Sequence, residues 1–362
     1  MTAAITALAL LGMLFQSAPS FEDLSSQAQK AWEDHRDSEA VDLYTRLLKI
    51  RPEWSEGWWA LGMLHYDANR YAACQESLEH MVKADPSATA GWALLGLCEF
   101  QTKRYDSSFQ HLKQAHLMVT PGHGGRLLDI ADYHLGLLLT QQGAFELAHE
   151  VLLRVAQHLT PTPELIFASG LPSLRIAQLS EEVPHAQREV ISLAGKAFWD
   201  LATQHPADAE ADFAALVEKY PRFPNVHYFF GTYLAVHRPE AAAGEFLEEL
   251  RLNPGSVPAR VQLTLRFLLD QRLEDAMKIA REAVELSPES VGAQLALGRA
   301  LRASGDDEAA LRAFLQAKRL DGESPEIRLY LVGAYRALGN LYEMRREQSE
   351  HDRLQAAQKN WR

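Results

Sequence analysis

The sequence predicts an all-α protein, an α-solenoid of about nine helical hairpins stacked in chain order and interrupted once. Three observations carry this. Small residues recur at a fixed step: Ala28, Gly62 and Gly96 fall 34 apart, as do Ala40, Cys74 and Ser108. Around them, apolar residues keep helical spacing, with Trp58, Leu61 and Gly62 on one face and Cys74, Leu78 and Met81 on another. Each unit then ends at Pro52, Pro86 or Pro121. Proline lacks the N–H a helix needs and biases the residue before it away from helical dihedrals. Where two helices cross closely, Gly or Ala lets their ridges and grooves interlock, while Leu and Phe fill the space between layers. One hairpin could not bury that face alone.

The elements follow in order. Residues 1–20 read as a signal peptide, with an apolar run from Ala3 to Phe15 and small residues at Ala18 and Ser20, although no Lys or Arg precedes the run. Residues 21–161 form an N-terminal array of four repeats. The first (Leu24, Ala28, Ala31, Ala40, Tyr44, Pro52) has the weak identity of a terminal unit; the second, Ser55–Pro86, is the clearest, with Asp67-Ala-Asn-Arg70 as its turn. The third carries Trp92, Leu95, Gly96, Ser108, Leu112 and Ala115. A Pro121–Gly125 turn delays the fourth, whose Leu135, Gly136, Ala148 and Leu152 arrive 40 residues after their predecessors. Residues 162–189 break the pattern and read as an irregular connector, either a degraded hairpin or an inserted loop. Its Leu165, Phe167, Leu171, Leu174 and Leu179 require something to pack on. It is expected to act as a joint or plug between the arms. Residues 190–346 form a second array of five repeats, marked by Ala197, Gly231, Thr264, Gly298 and Val332, with a one-residue deletion at His237–Pro239. Residues 347–362 read as a polar capping helix.

Composition bounds the partners. A chain of 362 residues with 47% hydrophobic and 23% charged residues is ordered and soluble in type. Its net charge of −12 resides wholly outside the first twenty residues, which disfavours nucleic acid and anionic membrane surfaces. No segment of the mature chain is apolar for long enough to span a bilayer. The expected location is therefore the periplasm or cell envelope, the alternative being a cytoplasmic protein with an uncleaved N-terminal helix. Two cysteines, Cys74 and Cys98, supply no disulfide framework or metal cluster; they could approach, and are read as a pair of small buried thiols.

The pattern Trp58-x-x-Leu61-Gly62, then Cys74, Leu78, Met81 and Pro86, resembles the tetratricopeptide repeat, as do Leu297-Gly298, Ala310, Phe314 and Ala317. With the N-terminal signal, the chain is similar to a bacterial exported member of that family. The resemblance implies a right-handed α-solenoid whose concave surface, lined by the first helices, binds peptide segments or partner proteins. It implies no reaction. Some members hold a terminal carboxylate with a Lys/Asn set, but the corresponding places here are mostly apolar.

Chemistry-bearing residues do not assemble into a motif. His111, His116, Asp129, Asp132 and His134 lack metal-site spacing and read as solvated side chains; no metal and no cofactor is expected. Ser169-Gly170 and Ser173 lack a GxSxG elbow, Pro121–Gly125 lacks a phosphate-loop ending, and Arg345–Arg353 reads as a wet helix face. The expected function is a noncatalytic scaffold binding proteins or peptides through the groove. The alternative is an enzyme or a carbohydrate- or lipid-binding envelope protein using the 162–189 connector, where Glu181-Glu182 are the available carboxylates; an apolar groove could also carry a lipid moiety. The groove stripe lies three residues before, and one and four after, each small-residue marker, offsets that share one face. It comprises Trp32, Trp59, Met63, Tyr66, Phe100, Tyr133, Tyr228, Arg299, Arg302 and Arg336, with Leu97 and Phe198 read as covering neighbouring helices. Aromatics ending in arginines suit an apolar segment with an acidic end.

Overall fold

The computed structural model describes residues 20–119 and 125–358. The apolar run Ala3–Phe15, Ala18, most of the Pro121–Gly125 turn and the last four residues lie outside them. Nineteen α-helices and one 3-10 turn make up the described residues, with no strand among them. They fall into two compact units, Met1–Met118 and Val119–Arg362. The seam lies ahead of the 162–189 stretch.

In the first unit, helices α1 (Phe21–Glu33) and α2 (Asp37–Ile50), α3 (Ser55–Asp67) and α4 (Tyr71–Ala84), and α5 (Thr89–Gln101) and α6 (Tyr105–Met118) form three hairpins. The fold begins at a capping box, in which Ser20 Oγ accepts from the Asp23 N–H and the Asp23 carboxylate accepts from the Ser20 N–H. Within each hairpin the chain reverses through a left-handed residue: His35, Asn69 and Lys103 have φ of 57, 55 and 60°, again 34 apart. Glycine provides close approach at the crossing, since a Cβ on Gly62 would lie 2.8 Å from Leu78 Cδ2. The core is the line of residues that the 34-step predicts, with Ala28, Ala31, Ala40, Leu47, Cys74 and Leu78 all sealed from solvent.

One expectation fails here. Cys74 in α4 and Cys98 in α5 are joined as a disulfide, with Cα atoms 6.4 Å apart. They are not a pair of free thiols. The second helix of one hairpin packs directly on the first helix of the next, and the two small residues meet within the span a disulfide tolerates.

The second unit opens with α7 (Arg126–Gln141) and α8 (Phe145–His158), and then departs from the hairpin rhythm. Within the predicted irregular connector, Pro163–Ser173 is a helix, α9, started by Pro163 and by Thr162, whose hydroxyl accepts from Leu165 N–H. It crosses α10 (Arg188–Ala202) at backbone contact. A Cβ on Gly195 would stand 1.7 Å from Ile166 O, and one on Gly170 would stand 1.9 Å from Ile191 O. Leu165, Phe167, Leu171, Leu174 and Val183 join Leu152 and Val155 before them and Ile191, Ala194 and Ala197 after them in one continuous core. The stretch is therefore a helix and its return, packed on the helices before and after it.

Helices α10 and α11 (Pro206–Lys219), α12 (Val226–His237) and α13 (Pro239–Leu252), α14 (Val257–Leu269) and α15 (Leu273–Leu286), and α16 (Val291–Ala303) and α17 (Asp307–Leu320) continue the stack, closed by α18 (Pro325–Ala337) and α19 (Leu341–Gln358). Left-handed turn residues recur at Gln204, Gln271, Gly305 and Gly339. The deletion at His237–Pro239 removes one of them: Arg238, with φ −143°, both ends α12 and begins α13. Helix α19 spans the boundary drawn at Arg346 and is less wet than expected. Glu347 is 2% exposed and binds both Lys318 and Arg328, while Leu354 is buried.

A latch recurs at the start of the first helices. Trp58 Nε1 donates to Pro52 O (2.7 Å) and Trp92 Nε1 to Pro86 O (2.9 Å). Arg260 donates to Pro254 O, Gln294 to Pro288 O and Arg328 to Gly322 O, each across six residues. The closing carbonyl of one unit is thus held by a side-chain N–H of the next, which satisfies a turn carbonyl that lies outside either helix.

Candidate binding surface

In the first unit, two of the stripe residues meet at one place. Trp32 from α1 and Trp59 from α3 line a cavity of about 570 Å³ together with Tyr44, Trp54, Glu33 and Glu56. Tyr44 is its floor, 5% exposed, with its ring 6.4 Å from Trp32 at 86° and 6.0 Å from Trp54 at 32°. Trp54 can sit there because Gly57 has no side chain; a Cβ would lie 2.3 Å from its ring. Burial, together with the charge of Glu33, holds the Tyr44 hydroxyl above its ordinary pKa. Further along, Met63 and Tyr66 are half-buried on α3, Tyr66 meeting Tyr71 edge-on at 5.8 Å. Phe100 on α5 packs against Tyr105 at 5.4 Å. Leu97 is buried, as expected of a covering residue.

In the second unit the stripe is more covered. Tyr133 is half-buried against His134, and burial raises its pKa. Tyr228 is 9% exposed beneath Arg175, whose guanidinium also stands over Phe145 and pairs with Glu146. Phe198 is likewise buried. Arg299 and Arg302 come together around a cavity of about 380 Å³ with Leu268, Phe314 and Tyr330. Arg299 lies 5.6 Å above the Tyr330 ring, and Arg302 occupies the space that a Cβ on Gly333 would take. Arg336 is exposed on α18.

The histidines are not the solvated chains that spacing suggested. His111 Nδ1 meets Glu99 Oε2 at 2.7 Å, His134 Nδ1 meets Ile130 O at 2.8 Å, and His116 is 1% exposed. Asp129 pairs with His158 and Asp132 with Arg154. Among the described residues, no three His, Cys, Asp or Glu side chains converge as a metal site. In the connector, Ser173 Oγ donates to Ser169 O and lies 3.1 Å from His149 Nε2. A hydroxyl has one proton, so His149 is the donor in that pair, the reverse of a general base poised on a nucleophile. Burial pushes the His149 pKa down to about 4. Glu182 accepts from the Leu179 N–H, a local turn contact.

Sequence reasoning missed several residues that organise these surfaces. Glu249, 1% exposed, accepts from the Asn225 and Tyr228 N–H groups and thereby caps α12 from the neighbouring helix. His227 Nε2 is the latch donor to Pro221 O, while Nδ1 faces Glu245 at 2.7 Å. The Glu245 hydrogen bond, which favours the imidazolium, raises its pKa against the opposing effect of burial. Trp54, Glu33 and Glu56 also stood outside the predicted stripe.

Comparison with known proteins agrees with the repeat. Tetratricopeptide repeat models match residues 60–116 and 267–328. Tetratricopeptide repeat protein 7B of Homo sapiens is 30% identical over 128 residues, which are 35% of this chain and 15% of that protein, so the match spans well under a fifth of the relative. Among solved structures, yeast Tom70 aligns over 92% of this chain and 76% of its own at 13% identity, with a TM-score of 0.42. MamA from Desulfovibrio magneticus RS-1 aligns over 47% of this chain and 97% of its own at 18% identity, with a TM-score of 0.41. No helix among the described residues is long and apolar enough to cross a membrane. With the repeat step, the all-helical hairpins and both repeat matches in agreement, the chain carries tetratricopeptide repeats.

Proposed function

We propose that the protein is a noncatalytic scaffold that binds protein or peptide segments through the faces of its first helices. Tetratricopeptide repeat proteins bind protein partners, and the repeat itself makes the scaffold role the starting point. The observation that carries the finer reading is the cavity at Trp32 and Trp59, where large aromatic side chains line a concavity. Within the second unit, the Arg299 and Arg302 cavity supports a contact to an acidic group. Replacing Trp59 and Tyr66 by Ala is expected to weaken capture of the native partner with helicity unchanged, and Arg302→Glu to add a salt-sensitive loss. Capture equal to the parent in all three variants would place binding on the other faces.

We further propose that the protein works outside the cytoplasm. The Cys74–Cys98 disulfide supports this, because such bonds persist in oxidising compartments. The apolar N-terminal run supports it independently. Sequencing the native N-terminus should give a start near Phe21; an intact Met1 in the soluble cytoplasm would sink the idea.

A further inference from the structure

We propose that the cavity formed by Trp32, Tyr44, Trp54 and Trp59, with Glu33 and Glu56 in its wall, is a recognition site for an alkylammonium group, its occupant being a lysine side chain of a partner polypeptide. That the occupant belongs to a polypeptide rests on the scaffold reading above.

The charges around the cavity point to a cation. Three nearby carboxylates are already paired, Glu22 by Arg51 and both Asp34 and Glu39 by Arg36. Glu33 accepts only from Gln29 and Glu56 only from Ser55, so neither meets a cation among the described residues. Two exposed, uncompensated carboxylates repel an anion, whereas an ammonium would pair with them.

The rings point the same way. Aromatic faces carry negative potential, and a cation within reach of several of them is attracted most strongly where water is excluded. The unit already uses this chemistry one ring away: the Arg51 guanidinium lies 3.8 Å from the Phe21 centroid while pairing with Glu22, and Phe21 in turn packs edge-on against Trp54. The cavity offers the same combination of ring and carboxylate, with His35 also in its lining. Trp32 stands at 86° to Tyr44, so the rings form a corner and not a parallel slot. A rounded ammonium fits a corner, while a planar guanidinium fits a slot.

The test titrates the full-length protein with the peptide acetyl-Ala-Ala-Lys-Ala-Ala-amide, its norleucine counterpart and choline, following the tryptophan indole N–H signals by NMR. The lysine peptide is expected to move the indole signals of Trp32, Trp54 and Trp59, with affinity falling as salt rises. It should bind about tenfold more weakly to Trp59→Ala and to the isosteric pair Glu33→Gln/Glu56→Gln. Equal binding of the norleucine peptide, or full affinity in the glutamine pair, overturns the cation site. Choline binding without a response to the lysine peptide overturns the polypeptide occupant. Capture of the native partner separates this from the scaffold reading: if the glutamine pair captures as the parent does and Trp59→Ala does not, the cation site falls and the groove stands. If both variants lose the lysine peptide yet capture normally, the cation site stands and the groove falls.

Discussion

Reducing the Cys74–Cys98 disulfide is the most direct perturbation of the first unit, because it changes no side-chain identity and its cost follows from the loop it closes. The two residues are 24 apart. In the chain-entropy treatment, constraining a loop of that length removes 2.1 + 1.5R ln 24 from the unfolded-state entropy, which is about 3.4 kcal/mol at 25 °C. Set against the ~5–15 kcal/mol that ordinarily separates folded from unfolded states, this is a large share. The bond also has a particular place, joining the second helix of one hairpin to the first helix of the next. In a stacked array that interface is the unit of cooperativity, so its loss should weaken the coupling of the second and third hairpins as well as the total. Five of the seven tryptophans precede Met118, so indole fluorescence reports chiefly on this unit. Guanidinium unfolding with and without reductant should show the fluorescence midpoint fall on reduction, once two free thiols have been counted. An unchanged midpoint in protein shown to be fully reduced would refute the loop argument.

Two further outcomes follow from the second unit. Gly195→Ala places a methyl group against Ile166 O where α9 and α10 touch backbone to backbone, and should destabilise the unit by about 3 kcal/mol or more, read as a lowered thermal midpoint; an unaltered midpoint would show that the crossing is looser than described. His227 has its pKa raised by Glu245, so its contribution is present in full below about pH 6.5 and is lost as pH rises through the folded value. His227→Gln keeps a donor for Pro221 O, as Gln294 does for Pro288 O, and should remove that loss; urea midpoints at pH 6 and pH 9 that fall equally in parent and variant would contradict it.

The architecture was readable because the step of 34 is imposed by backbone geometry as well as by packing. The same interval that places Ala28, Gly62 and Gly96 at crossings places His35, Asn69 and Lys103 in left-handed turns. What the sequence concealed were features in which chemistry is kept while residue type is not. The latch is the clearest: Trp58, Trp92, His227, Arg260, Gln294 and Arg328 share nothing but an N–H on a reach long enough to return to a carbonyl six residues earlier. A search for recurring hydrophobicity finds Trp58 and Trp92 and passes over the others. The extra helix α9 was hidden for a related reason. Its four flanking and internal prolines suggest a loop, yet Pro163 starts a helix and Gly170 is there to meet Gly195 and not to bend the chain.

The binding surface divides along the same line. Trp32 and Trp59, both on the stripe offsets, line one cavity, because helical phase decides which side of the hairpin a residue occupies. Phase does not say which side chains a third element will cover. Tyr228 has the same offset as Trp59 but lies under Arg175, and only the return from α9 brings Arg175 there. Nor does residue type distinguish Glu33 from Asp34, adjacent in sequence and alike in charge. Arg36 takes one and leaves the other, and that choice gives the aromatic cavity its negative wall. Polar specificity in this chain is therefore set by which charges are left over after the hairpins have paired their own, a quantity fixed by packing and read from the folded protein.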